Sequence, residues 1–171
     1  MKNYIIDFDS TFIKVESLDE LLEVSEPENE DKIDKIKKIT NEGMEGEISF
    51  SESLSKRINL LEATKNHINI AVQKLKEKVS DSFVKNSDFI KKNKNDIYIV
   101  SSGFHEIIDP IVIDYGISKK NIFANSFVFN KSGRIIGYDK KNPLSTSKGK
   151  VKILKKLGLK GSTHVIGDGF T

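Results

Sequence analysis

The chain has 171 residues, 37% of them apolar and 31% charged, with 28 basic and 25 acidic side chains, three histidines and a formal net charge of +3. That charge is too balanced, and its lysines too mixed with acids (Glu30-Asp31-Lys32-Ile33-Asp34-Lys35), for a nucleic-acid face. Without cysteine there are no disulfides, thiolate nucleophiles or zinc–thiolate sites. No apolar run approaches the roughly 18 residues a bilayer span needs, and Asp7 comes too early for the apolar region of a signal peptide. The expectation is a cytoplasmic protein of one core domain plus a modest insertion. Oligomeric state is not legible.

The first element, Tyr4-Ile5-Ile6-Asp7-Phe8-Asp9, begins apolar and ends in two acids. It reads as a buried parallel strand whose carboxyl edge opens into a polar site. Leu18, Leu21 and Leu22 predict a helix over 17–25, closed by Pro27. Ile33, Ile36 and Ile39 predict another over 30–42, ending near Gly43. Ser49 or Ser51 is placed to cap a helix carrying Leu54, Ile58 and Leu61, and residues 66–78 repeat Ile68, Val72 and Leu75. Residues 17–80 thus read as a helical block without strand signal, and 82–92 return the chain to the core.

The period then changes. Ile97-Tyr98-Ile99-Val100 reads as a strand stopped by Ser101-Ser102-Gly103, followed by a helix over 104–115 with Pro110 inside it. Asn121–Ala124 is a short strand, and residues 126–138 read as a hairpin turning at Asn130-Lys131-Ser132-Gly133. Ser147 is placed to cap a helix with Val151, Leu154 and Leu157 on one face. Thr163–Ile166 is a last strand running into Gly167-Asp168-Gly169. Strands alternating with helices make the fold class α/β with a parallel sheet, whose sites lie at the carboxyl ends of strands.

Three polar groups stand at those ends: Asp7/Asp9, Ser101/Ser102 and Asp168. Residues two apart in a strand face the same way, so the Asp7 and Asp9 carboxylates converge as the strand ends. Two such acids repel unless a cation or a shared proton compensates. A hard cation such as Mg²⁺ suits oxygen ligands, and a carboxylate beside it can attack phosphorus. Taken alone, the pair reads better as solvated acids in a strand-end turn. Ser101 adds a hydroxyl and following amides for phosphoryl oxygens. Lys148, at a predicted helix start, adds a charge for the nucleophile and phosphate, and Asp168 is placed to complete a metal site.

In this order, Asp7-Phe8-Asp9-Ser10-Thr11, Ser101, Lys148 and Gly167-Asp168-Gly169 resemble the four motifs of the haloacid dehalogenase-like hydrolase superfamily. Within it the chain is most similar to the phosphoserine phosphatase family, with Glu16-Ser17-Leu18-Asp19-Glu20 and the stretch from Met44-Glu45-Gly46 to Arg57 matching that family's cap. The resemblance implies a Rossmann-like core (1–16 and 81–171) with a helical cap (17–80), whose hinges lie at Glu16 and near 78–82. It implies hydrolysis of O-phosphoserine, a small phosphomonoester, through an aspartyl-phosphate. Asp7 would be the nucleophile and Asp9 the acid and then the base. Ser101, Ser102 and Lys148 would hold the phosphoryl group, and Mg²⁺ would bind Asp7, the Asp9 carbonyl and Asp168. Glu16 would pair the substrate ammonium and Arg57 its carboxylate, with Met44 and Phe50 walling the pocket. Arginine supplies a planar fork that lysine lacks, and this chain otherwise prefers lysine. Two departures stand out. Ser102 replaces the family's usual glycine, and the Asp, helix and strand expected after the fourth motif do not follow before Thr171, so the C-terminal part of the core is expected to be missing. Phosphatase action on another small phosphomonoester, or a catalytically silent binding or regulatory fragment, are the alternative readings.

Overall fold

The computed structural model describes residues 2–169, so the expectation about the end of the chain lies outside it. Its main sheet is built from β1 (Lys2–Ile6), β2 (Ile97–Phe104), β3 (Ile122–Asn125) and β6 (Ser162–Ile166) in the order β3-β2-β1-β6. All three pairings are parallel, with Ile6 opposite both Ile99 and Ile166. The remaining strands, β4 (Phe127–Phe129) and β5 (Ile135–Tyr138), form the antiparallel hairpin. β1 therefore lies inside the sheet, and its carboxyl end faces loops from strands on both sides. Every residue of β6 is exposed. Among the described residues no helix is long and apolar enough to cross a membrane.

Between β1 and β2 lie α1 (Ser17–Ser25), α2 (Glu30–Met44), α3 (Phe50–Leu60), α4 (Lys65–Lys76), α5 (Asp81–Lys85) and α6 (Ser87–Lys92). Their starts follow from capping chemistry. The side chains of Asn29, Ser49 and Thr64 accept from the amides of Lys32, Glu52 and His67. Apolar faces at helical spacing then pack α1 on α4 and α2 on α3, while α4 also packs on α7 (His105–Val112). Residues from all these elements share one buried cluster with β1 and β2, including Leu21, Leu54, Leu75, Ile99 and Ile107. Burying each such side chain stabilises the fold by roughly 1.5–3 kcal/mol.

The two passages into and out of the helical block are stitched together. Ile13 and Val79 form an antiparallel bridge, Lys14 N donates to Lys78 O at 2.9 Å, and Ser80 N donates to Phe12 O at 2.9 Å. The hairpin meets the block at a second seam. Lys65 N donates to Gly133 O at 3.0 Å, Ile135 N donates to Ala63 O at 2.9 Å, and Arg134 pairs with Glu62 at 3.1 Å.

Three local expectations change. β2 does not stop at Val100 but runs through Ser101, Ser102 and Gly103 to Phe104, because Phe104 stays fully buried and pairs with Asn125. The helix after it ends at Val112, continuing as a single tight turn to Gly116, whose φ of 82° suits glycine. Ser147 does not cap the next helix, α8 (Gly149–Leu157). Lys148 stands at that position with φ 62° and makes no capping bond.

Candidate active site

The site forms where β1 ends. Asp7 N donates to Ile166 O at 2.9 Å, which locks this position between strands. The chain then turns tightly over Phe8–Phe12, closed by Ile13 N donating to Phe8 O, with Phe8 and Phe12 fully buried beneath it. The two phenyl anchors hold the polar residues between them at the surface of the core. Asp7 accepts from Phe8 N at 2.7 Å through one carboxylate oxygen and from Lys150 Nζ through the other. Gly167 lies against Asp7, where an added Cβ would meet the Asp7 Cβ at 3.7 Å.

Asp9 is half-buried. Its Oδ1 accepts from Ser17 N at 2.7 Å, so the first amide of α1 is capped by a core carboxylate. Burial pushes the Asp9 carboxyl up to about 7, helped by the charges of Glu16 and Asp7 and opposed by the Ser17 bond. Glu16 lies directly before α1. Burial raises its pKa, while a 2.7 Å hydrogen bond from Ser10 Oγ and the nearby Arg57 charge oppose the rise. Arg57, at the end of α3, is 8% exposed and attracted in turn by Asp19, Glu16 and Asp9. A helical-block cation thus senses Asp9 of the strand-end pair.

Ser101 is buried at the end of β2, and its Oγ accepts from Gly103 N at 2.9 Å. That bond leaves the hydroxyl proton free to donate. Gly103 has to be small: a Cβ there would stand 2.9 Å from Asp9 Oδ2 and 3.2 Å from Ser101 Oγ. Ser102 is half-buried, and its carbonyl accepts from Asn125 Nδ2 at 2.8 Å. Asp168 is exposed after β6, with Thr11 Oγ1 donating to its Oδ1 at 3.5 Å.

Lys148 does not reach the nucleophile position. It is exposed at the left-handed start of α8, and Lys150 takes the contact with Asp7. Residues two apart at a helix start point to different sides, so one helix orientation cannot aim both at Asp7. Met44 is 61% exposed at the end of α2, whereas Phe50 is half-buried against the main cluster. Sequence reasoning also missed Gly149, whose bare Cα lets α8 rest on Pro143 O, and Asn125, whose amide ties β3 to Ser102 and Leu144. The Ser-Lys-Gly-Lys run held the signal for Lys150; nothing local marked Asn125.

Among the described residues no three acidic or histidine side chains converge as a metal cage. The expected set needs only two carboxylates, Asp7 and Asp168, with the Asp9 carbonyl. The Thr11–Asp168 hydrogen bond and the one from Asp7 N to Ile166 O hold those two segments side by side. This all-oxygen donor chemistry fits Mg²⁺, which keeps several waters.

No known family profile matches the chain. The chloroplastic phosphoserine phosphatase of Arabidopsis thaliana is 31% identical over 169 residues, covering 96% of this chain and 55% of that protein. The phosphoserine phosphatase of Methanocaldococcus jannaschii is 30% identical over 178 residues, covering 98% of this chain and 77% of the relative. The crystal structure of a phosphoserine phosphohydrolase-like protein from Francisella tularensis matches with a TM-score of 0.86 at 36% identity, covering 100% of this chain and 80% of that one. The chain spans little more than half the length of the plant relative. Agreement in sequence over most of the archaeal relative, and in backbone and sequence over most of the Francisella chain, places this one in the phosphoserine phosphatase family of haloacid dehalogenase-like hydrolases.

Proposed function

We propose that the chain carries the site of an Mg²⁺-dependent phosphomonoester hydrolase acting on O-phosphoserine. The observation that carries this reading is the meeting of two sets of charges. At the end of β1 stand Asp7, paired with Lys150, and Asp9; Glu16 is held by Ser10 at the start of α1, and Arg57 is near enough for its charge to act on Glu16 and Asp9. The first set suits a phosphoryl group and the second suits an ammonium and a carboxylate. In this reading residues 17–80 act as a cap over a core of 1–16 and 81–171, and closing it excludes water.

An Asp7 oxygen attacks phosphorus, the bond from phosphorus to the seryl oxygen breaks, and Asp9 gives that oxygen its proton. Asp9, now a carboxylate, takes a proton from water, whose oxygen displaces the Asp7 carboxylate from phosphorus. Serine and phosphate leave. A group that serves as acid and then base works best with a pKa near the working pH, which matches an Asp9 carboxyl near 7. Phosphoryl transfer mainly demands alignment and charge neutralisation. Lys150 offsets the charge of Asp7, and Ser101 and the Ser102 amide receive the phosphoryl oxygens. Asp7, the Asp9 carbonyl and Asp168 would hold Mg²⁺, which would supply further neutralisation of phosphoryl charge.

The test is phosphate release from O-phosphoserine with and without Mg²⁺. Asp7→Asn is expected to abolish turnover and leave the thermal melt intact, and near-normal turnover in that variant would remove the covalent mechanism. The exposed Met44 leaves the pocket wall open and favours a second reading, another small phosphomonoester, which comparable turnover of unrelated phosphoesters would support.

A further inference from the structure

The helical block holds a polar cluster that the phosphoryl chemistry does not use. Arg57 is nearly buried, yet among the described residues no carboxylate lies within ion-pair distance of it and its Nε has no partner. Its hydrogen bond runs from Nη1 to Thr40 Oγ1 at 3.5 Å. Thr40 is 5% exposed on α2, with its Oγ1 3.0 Å from Ile36 O and 3.4 Å from Asp19 Oδ1. A hydroxyl has one proton and two lone pairs. Whether the proton goes to Ile36 O or to Asp19, a lone pair remains to accept from Arg57.

The helix packing fixes this arrangement. Ser53 and Arg57 lie four apart on one face of α3, and Ser53 Oγ donates to Ile39 O at 3.0 Å. Gly43 lets the two helices close here, because a Cβ on it would stand 2.6 Å from Ser53 Oγ. Thr40 is thus held by the backbone of its own helix against a guanidinium held by the next. Asp19 exerts the largest attraction on Arg57 but occupies none of its nitrogens directly. The cation is balanced in charge while its Nε stays unpaired.

We propose that Thr40 and Asp19 are positioning residues that aim the unpaired side of Arg57 at the carboxylate of an amino-acid phosphoester, and so set the selectivity of the site. This rests on the phosphoserine reading above. Preorganising a charged fork costs the substrate less ordering than capturing a mobile one.

The experiment compares O-phosphoserine with phosphoethanolamine, which keeps the ammonium and lacks the carboxylate, using the whole chain. Thr40→Val keeps the shape and removes the hydroxyl. It is expected to raise the phosphoserine KM about tenfold with kcat little changed, the scale of one hydrogen bond to a charged group. The phosphoethanolamine KM stays put, and Thr40→Ser restores wild-type values. Asp19→Asn shows the same contrast and carries the test if Thr40→Val does not fold. Equal changes for both substrates, or an unaltered phosphoserine KM in both Thr40→Val and Asp19→Asn, overturn the proposal while leaving wild-type phosphoserine turnover in place. A wild type that does not favour phosphoserine over phosphoethanolamine overturns the substrate reading itself, and the role of Thr40 with it.

Discussion

Gly149→Ala adds one methyl group at the start of α8. The new Cβ would sit 2.1 Å from Pro143 O and 2.8 Å from Leu144 Cα, where real Cβ contacts essentially never fall below 3.0 Å. The obstacle is backbone, so no side chain can swing aside, and the helix start must retreat by about 0.9 Å, the shortfall of 2.1 Å from the 3.0 Å limit. Overpacking of this kind costs roughly 1–3 kcal/mol, and a backbone obstacle puts it near the upper end. Alanine's helix preference over glycine returns about 1 kcal/mol at most, and less at a first helical position. The clash wins by about 2 kcal/mol, a fall in Tm of about 4–8 °C for a chain of this size. The same retreat pulls Lys150 from Asp7, and misplacement by an ångström can cost about 100-fold in turnover. The assay is urea unfolding together with kcat on O-phosphoserine. Gly158→Ala is the control: its φ is 55° and nothing lies within 4 Å of its added Cβ. It carries a left-handed strain of about 1–2 kcal/mol and leaves kcat unchanged. A Gly149→Ala protein with wild-type stability and turnover would refute the claim that this close approach aims Lys150 at Asp7.

Other outcomes follow from the same geometry. Between about pH 4 and 7 the native chain keeps a proton on Asp9 that the unfolded chain has lost, so ionising Asp9 removes stability as pH rises through that window. Asp9→Asn can keep an oxygen for Ser17 and sheds the charge; it should match the wild type near pH 4 and exceed it by up to about 4 kcal/mol at pH 8, while turnover is lost. Denaturant midpoints across pH check this, and a pH-independent difference contradicts it. Arg57→Lys should raise the phosphoserine KM, and Arg57→Ala should cost roughly 2–5 kcal/mol in kcat/KM if the contact is a desolvated charge pair. A carboxylate-free phosphoester should be indifferent to both changes, and equal losses would assign Arg57 to the fold or the phosphate instead.

Much of this was local and therefore legible in the chain itself. The apolar run of Tyr4–Ile6 ending at Asp7 and Asp9 announced a strand-end site, because burial and alternation are short-range properties. Ile36 and Ile39 marked the buried face of α2, Ser49 or Ser51 marked the start of α3, with Ser49 the cap in the fold, and Asn130–Gly133 marked the hairpin turn. Packing of the sheet decided what came next. Whether β2 stopped at Val100 or ran to Phe104 depended on the burial of Phe104 and its pairing with Asn125, across more than twenty residues of chain. Lys148 and Lys150 are equivalent in composition. The docking of α8 on Pro143, through a glycine with room for no side chain, turned Lys150 rather than Lys148 onto Asp7. Asp9 acquired its shifted pKa only when α1, Glu16 and the rest of the site excluded water around it. A sequence pattern encodes which face of an element is buried; the neighbour that face meets, and the charge it finds there, exist only once distant segments have packed.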